Sequence, residues 1–122
     1  MDGQRFPNIP DQQGPLTTEK AIGDLDSLIQ ALLSSVPLAK PWQRQLRAEL
    51  SRADRLIQVL RMTIALNRGA AEQAQATDGV LVAMRTAHSY ILGGRADGGT
   101  KMAVQLGFSL AQRLQSMFEA KA

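Results

Sequence analysis

One stretch of the chain repeats an apolar side chain at alternating intervals of four and three residues. This spacing is typical of an α-helix that packs along its length against other helices, whereas a strand would alternate every second residue. Leu56 and Val59 widen the apolar stripe, so this helix is expected to contact more than one neighbour. The repeat, here called the seam, consists of Leu46, Leu50, Ala53, Ile57, Leu60 and Ile64.

The seam predicts a long central helix. Pro41 suits the first helical position, where a missing N–H costs nothing. If the register continues past Ile64, Asn67 faces a partner helix and the helix extends from Pro41 to about Gln75, roughly 50 Å. Residues 77–79, Thr-Asp-Gly, are then either a new helix start or a weak point within a longer helix, so continuity between 41–75 and 78–92 stays open.

Apolar stripes at helical spacing also precede and follow the central helix. Thr17 or Thr18 can cap the first helix, and Pro37 ends it. Gly93-Gly94 is a typical helix stop, and Asp97 or Thr100 can cap the last helix. The stripes are Ile22, Leu25, Leu28, Ile29, Leu32, Leu33 and Val36; Val80, Leu81, Met84, Ala87, His88, Ile91 and Leu92; and Val104, Leu106, Leu110, Leu114, Met117 and Phe118.

These features predict an all-α fold, a three- to four-helix antiparallel bundle with a long central helix. Residues 1–16 hold three prolines and few apolar residues, so a flexible arm is expected there, with a single helical domain at 17–122. The start of the chain has no apolar core typical of a signal peptide, and no apolar run approaches the roughly 20 residues of a membrane span. We therefore expect a cytoplasmic protein.

The sequence offers no convincing catalytic, cofactor or metal site. Residues 92–101, LGGRADGGTK, are rich in glycine, but no strand precedes them and Thr100-Lys101 reverses the order of a phosphate-binding loop, so a joint between helices is favoured. His88 is the single histidine and is expected to be partly buried. Asp24 and Asp26 diverge on a helix, unlike a catalytic carboxylate pair. No cysteine is present. We expect a protein that is not an enzyme and needs no cofactor.

A row of arginines on the central helix is the possible electrostatic site. The net charge of the chain is +3, and residues 41–75 carry six arginines against three carboxylates. Such a row could neutralise nucleic-acid phosphates, whereas its ordinary interpretation is a solvated helix flank with some Glu–Arg pairing. The candidates for anion contact are Arg44, Arg47, Arg55, Arg61 and Arg68.

The last helix is the best candidate for a partner surface. Its apolar positions nearly encircle it, and Met and Phe side chains adapt to a groove or a partner helix. The alternative is that it is the last helix of the core. Gly107, within the helix, marks either a close helix approach or a segment that orders on binding. The predicted partner-binding residues are Leu106, Leu110, Leu114, Met117 and Phe118.

The order of three segments resembles the FlgN-like flagellar and type III export chaperones. These segments are ALNRGAAEQAQ at 65–75, VLVAMRTAHSYIL at 80–92 and GGRADGGT at 93–100. The resemblance implies a small all-helical bacterial protein that keeps a secreted hook–filament junction protein soluble and delivers it to the export apparatus. It also implies that C-terminal helical residues bind the client.

Two other functions remain open. A small basic protein could bind nucleic acid through the arginines of helix 41–68. A structural subunit could instead self-assemble as a coiled-coil homodimer through the seam residues Leu46, Leu50, Ala53, Ile57, Leu60 and Ile64.

Overall fold

The computed structural model describes residues 17–92 and 96–121, which form four α-helices and no strand. The predicted arm at 1–16 and the Gly93-Gly94 stop lie outside the described residues. The helices are α1 (Thr18–Ser35), α2 (Pro41–Ala65), α3 (Ala70–Ile91) and α4 (Gly98–Lys121).

The four helices form a closed antiparallel ring. Each helix packs against the next in the chain and α4 packs against α1, so α1 and α3 lie on one diagonal and α2 and α4 on the other. The end of each helix lies beside the start of its neighbour: Thr18 in the first turn of α1, for example, contacts Met117 near the end of α4. The predicted antiparallel helical bundle is confirmed, with four helices.

The core is aliphatic and uses the stripes that the sequence predicts. Five of the six seam side chains have no exposed surface, because the seam is the edge of α2 that faces the centre of the bundle. Leu and Ile side chains of α1 meet them, while α3 contributes several alanines together with larger aliphatic side chains and a methionine. The largest fully buried side chains are Leu25, Ile29, Leu46, Leu50, Ile57, Leu60, Met84, Leu114, Val80, Val104 and Thr77.

The central helix ends earlier than predicted. Asn67 has a φ of 55° and lies in an exposed turn, so the prediction that it faces a partner helix is wrong. The amide of Arg68 donates to the carbonyl of Thr63 and that of Asn67 to Ile64, the paired bonds of a helix stop with a left-handed residue. Asparagine tolerates this conformation better than most residues. Ile64 is partly exposed because it lies in the last turn.

Helices α2 and α3 are separate, and Thr-Asp-Gly at 77–79 lies inside α3. Thr77 is fully buried, and its hydroxyl donates to the carbonyl of Gln73 at 2.8 Å, so the side chain is satisfied within its own helix. The interpretation of residues 77–79 as the start of a helix is therefore wrong.

The predicted helix starts are largely confirmed. The Thr17 hydroxyl accepts from the amide of Lys20 at 3.1 Å, and Pro41 is the first residue of α2. Gln43 Oε1 accepts from the amide of Lys40, which adds a second contact at that start. Among the described helices, none is long and apolar enough to cross a membrane.

Candidate partner-binding groove

The outer faces of the bundle differ in what joins the helices. Polar side-chain bonds cross the surface between α1 and α2: Arg61 pairs with Asp26 at 3.0 Å, and Gln30 donates to Asp54 at 2.8 Å. A polar bond also joins α3 to α4, where Gln115 donates to Asp78. The other two faces, α1–α4 and α2–α3, are lined mainly by apolar side chains.

An open groove follows the α1–α4 face. It consists of two adjoining cavities of about 470 and 380 Å³ that share Leu28 and Ala31. Aliphatic side chains form most of its lining, and polar groups stand towards its ends. The α1–α4 groove is lined by Asp24, Ser27, Leu28, Ala31, Leu32 and Ser35 of α1, by Asp97, and by Gly99, Thr100, Ala103, Leu106 and Leu110 of α4.

Gly107 brings the two walls of this groove together. A Cβ at this position would lie 2.7 Å from Met84 Cε and 3.3 Å from Leu28 Cδ2, closer than side chains pack. The glycine therefore lets α4 lie directly against α1 and α3. Of the two interpretations made from the sequence, close helix approach is the one that the structure shows.

The structure divides the predicted partner-binding residues into two groups. Leu106 is 53% exposed and lines the α1–α4 groove together with the half-buried Leu110. Leu114 and Phe118 are buried in the core, so a partner does not reach them while the bundle is closed. Met117 is half-buried and accepts a weak hydrogen bond from Thr18 through its sulfur.

Sequence reasoning missed the α1 side of the groove. Leu28 is a half-buried member of the first apolar stripe and the exposed Ala31 lies beside it, and nothing in a single helix tells which edge of a stripe remains open. The signal was indirect: close helix approach was one of two interpretations of Gly107 on α4, and the helices that approach there are α3 and α1.

A carboxylate closes one end of the groove. Asp97 accepts from the Thr100 hydroxyl at 2.7 Å and from the Thr100 amide at 3.1 Å. These bonds, chiefly the one from the hydroxyl, hold the pKa of Asp97 below its usual value. The carboxylate already accepts a hydrogen bond from the Thr100 amide in the first turn of α4, and a bound phosphate would need that same amide as a donor. This arrangement favours the joint over a phosphate cradle.

Most of the arginines proposed for anion contact already have acceptors within the protein. The guanidinium of Arg47 is half-buried and donates to the carbonyls of Leu33 and Val36, at the end of α1. Arg44 donates to the carbonyls of Leu38 and Ala39. Arg61 pairs with Asp26 and Arg68 with Glu72, which leaves Arg55 as the exposed member of the set without such a partner among the described residues.

The histidine and the two aspartates have structural surroundings. His88 is half-buried, as predicted, and its ring stacks on Phe108 with centroids 5.2 Å apart. Asp24 pairs with Lys20 on its own helix, whereas Asp26 pairs across to Arg61, so the two carboxylates diverge as expected.

The seam of α2 is already packed against other helices of the same chain. From Leu46 to Leu60 its side chains are fully covered by the other helices of the bundle. A dimer through this edge would require the bundle to open, which removes the main structural basis for coiled-coil pairing.

The α1–α4 groove has the chemistry of a contact surface. Its lining is aliphatic, and its charged groups are committed to neighbours: Asp24 to Lys20 and Asp97 to Thr100. Among the residues that the structure describes, no group of three or more His, Asp or Glu side chains could hold a metal ion. The sequence matches no protein-family model, no curated protein and no solved structure.

Proposed function

We propose that this protein binds an amphipathic helix of another protein in the α1–α4 groove and keeps the apolar face of that helix covered. The observation that carries the proposal is the exposed Leu106, which lines an open aliphatic groove with Leu28 and Leu110. Grooves of this kind take the apolar face of a helix through residues spaced three and four apart.

The specific role that we propose is export chaperoning. A chaperone of the FlgN-like kind covers apolar helices of a secreted client until export, which requires an aliphatic surface and no reaction chemistry. The bundle offers such a surface, and the three segments that resemble the family include the glycine-rich joint that leads into α4.

The test is co-expression with a hook–filament junction protein from the same organism, followed by size-exclusion chromatography and titration calorimetry. We expect a stable complex in which Leu106→Asp weakens binding at least about a hundredfold, because a charge would be buried against an aliphatic helix. Gln112→Asp is the matched control: the residue is exposed on α4 outside the groove, and the variant should bind normally.

The controls separate the general role from the specific one. Both variants should keep the helical circular dichroism and cooperative unfolding of the native protein, since Leu106 and Gln112 are exposed. If the junction protein does not bind while other amphipathic helices bind in a way that depends on Leu106, export chaperoning is wrong and helix binding stands. If Leu106→Asp changes no helix-binding interaction, the groove is not the binding site.

A further inference from the structure

A second groove lies between α2 and α3, on the opposite side of the bundle from the α1–α4 groove. The helix ring places these two faces apart, so a partner in one does not touch the other. The α2–α3 groove encloses about 460 Å³. It is lined by Leu56, Val59 and Thr63 of α2 and by Glu72, Gln75, Ala76 and Gly79 of α3.

The floor of this groove and part of its rims are apolar. Val59 is 48% exposed, and Val82, one turn after Gly79 on α3, is 43% exposed. Gly79 forms part of the floor, where Leu56 Cδ1 comes within 3.1 Å of the position that a Cβ would occupy. A second helix could therefore lie close to the backbone of α3, with its side chains between Val59 and Val82.

The two ends of the α2–α3 groove differ in charge. Arg52 lies one turn before Leu56 on the same face of α2, next to Arg55, and Arg85 lies one turn after Val82 on α3. Because α2 and α3 are antiparallel, all three arginines lie at the same level of the bundle, with Arg52 on the groove face of α2 and Arg55 and Arg85 on the outer sides of their helices. They are exposed, and no carboxylate of the described residues comes within 4 Å of them.

The nearby carboxylates do not cancel this charge. Glu49 lies one turn beyond Arg52, but it is half-buried and one of its carboxylate oxygens, Oε1, is enclosed by protein. At the other end of the groove Glu72 is paired with Arg68 at 3.3 Å. One end thus has three arginines against the carboxylate of Glu49 and is net basic, and the other is close to neutral.

We propose that the α2–α3 groove is a second docking surface whose occupant is an amphipathic helix with acidic side chains at one end. The apolar groove takes the stripe of the helix, and the three arginines select its acidic end and fix its direction. From Arg52 to Thr63 the face of α2 extends about 16 Å, which matches three turns of helix.

The same arginines could contact a nucleic-acid backbone, but the surroundings favour a helix. Phosphate binding gains nothing from Val59 and Val82 beside the basic groups, and three arginines at one end of an apolar groove form a short cluster rather than a track along a backbone. A helical partner uses both features. Nucleic-acid binding is accordingly one of the outcomes that the test below would detect.

The test is selection of helical peptides from a displayed library. Each member is an 18-residue helix, a length chosen to cover about four to five turns, with Leu, Ile, Met or Ala on one stripe and Glu, Gln or Lys at the flanking positions. Peptides that are selected on the native protein and still bind the Leu106→Asp variant should carry Glu at one end. Selection on the triple variant R52E/R55E/R85E should instead enrich Lys at that end. Each selected acidic peptide should lose at least about tenfold in affinity for the triple variant.

Point variants locate the binding site. Val59→Asp or, independently, Val82→Asp should weaken the selected peptides at least about tenfold, because each places a carboxylate in the groove beside the acidic helix. Leu106→Asp, in the α1–α4 groove, is the matched control and should leave this binding unchanged. Circular dichroism confirms that each variant is folded, and two valines are used so that one misfolded variant does not decide the result.

Three results would overturn the proposal. The first is a set of peptides that bind independently of Leu106 and show no charge preference at either end. The second is a set of acidic peptides whose affinity survives both valine variants. The third is a labelled 20-nucleotide RNA or DNA duplex whose binding falls steeply with salt and with R52E/R55E/R85E but is unaffected by Val59→Asp, which would assign the arginines to phosphate. Because the control variants lie in different grooves, failure here leaves the α1–α4 proposal intact.

Discussion

Two glycines at interior positions of helices have opposite surroundings. Gly23 in α1 has open space where a Cβ would stand, whereas Gly107 in α4 faces the methyl end of Met84. Met84 is fully buried, so its methyl end can move away from a new Cβ only by repacking against other core side chains. The same residue type therefore marks a loss of helix stability in one place and a packing requirement in the other.

Alanine at these two positions should change stability in opposite directions. Gly23→Ala should raise the free energy of unfolding by about 0.5–1 kcal/mol, because alanine favours the helix and meets no neighbour. Gly107→Ala should lower it by about 1 kcal/mol or more, since overpacking against Met84 exceeds that gain. Urea titration of both variants measures the difference. Equal stabilisation by both would show that α4 is not held against Met84 and Leu28.

At the scale of the elements, the turn between α2 and α3 shows what a periodic pattern leaves out. The seam identified the buried edge of α2 correctly from Leu46 to Leu60, because burial follows the helical period. It misplaced the end of the helix, because a stop depends on one residue, Asn67, adopting a left-handed conformation that the period does not encode.

Replacement of Asn67 should test that stop directly. Asn67→Ala should lower the free energy of unfolding by about 1 kcal/mol, because a Cβ-bearing residue without a local polar group is strained at this φ. Asn67→Gly should be neutral or stabilising, as glycine adopts the conformation freely. Thermal unfolding of the two variants provides the comparison. If alanine and glycine behave alike, the turn is not held in the left-handed conformation.

The candidate site was predictable only in part, and the reason lies in how helices combine. The sequence identified Leu106 and Leu110 on the helix that faces the groove, but it grouped them with Leu114 and Phe118, which are core. A wide apolar stripe has the same sequence pattern whether a neighbouring helix covers its edge or leaves that edge exposed. Only the ring order of the four helices shows which edge of each stripe is open, and that Leu28 and Ala31 lie on the open edge of α1.

For the whole molecule, we expect a monomer of 13.2 kDa at all practical concentrations. The seam that would join two copies is already covered by α1 and α3, and the exposed Leu106 and Val59 lie in separate grooves. Sedimentation velocity across a hundredfold range of concentration measures this. A concentration-dependent dimer that Leu106→Asp or Val59→Asp abolishes would show that a groove, rather than the seam, holds a second copy.

Polar side-chain bonds join α1 to α2, through Asp26 and Arg61, and α3 to α4, through Asp78 and Gln115. The packing is nevertheless most extensive between α2 and α3 and least extensive between α1 and α2. Helix α1 therefore has the fewest contacts to lose if one helix leaves the ring. Its departure would keep the other three helices packed together and would bring the seam of α2 to the solvent along the edge that α1 covers.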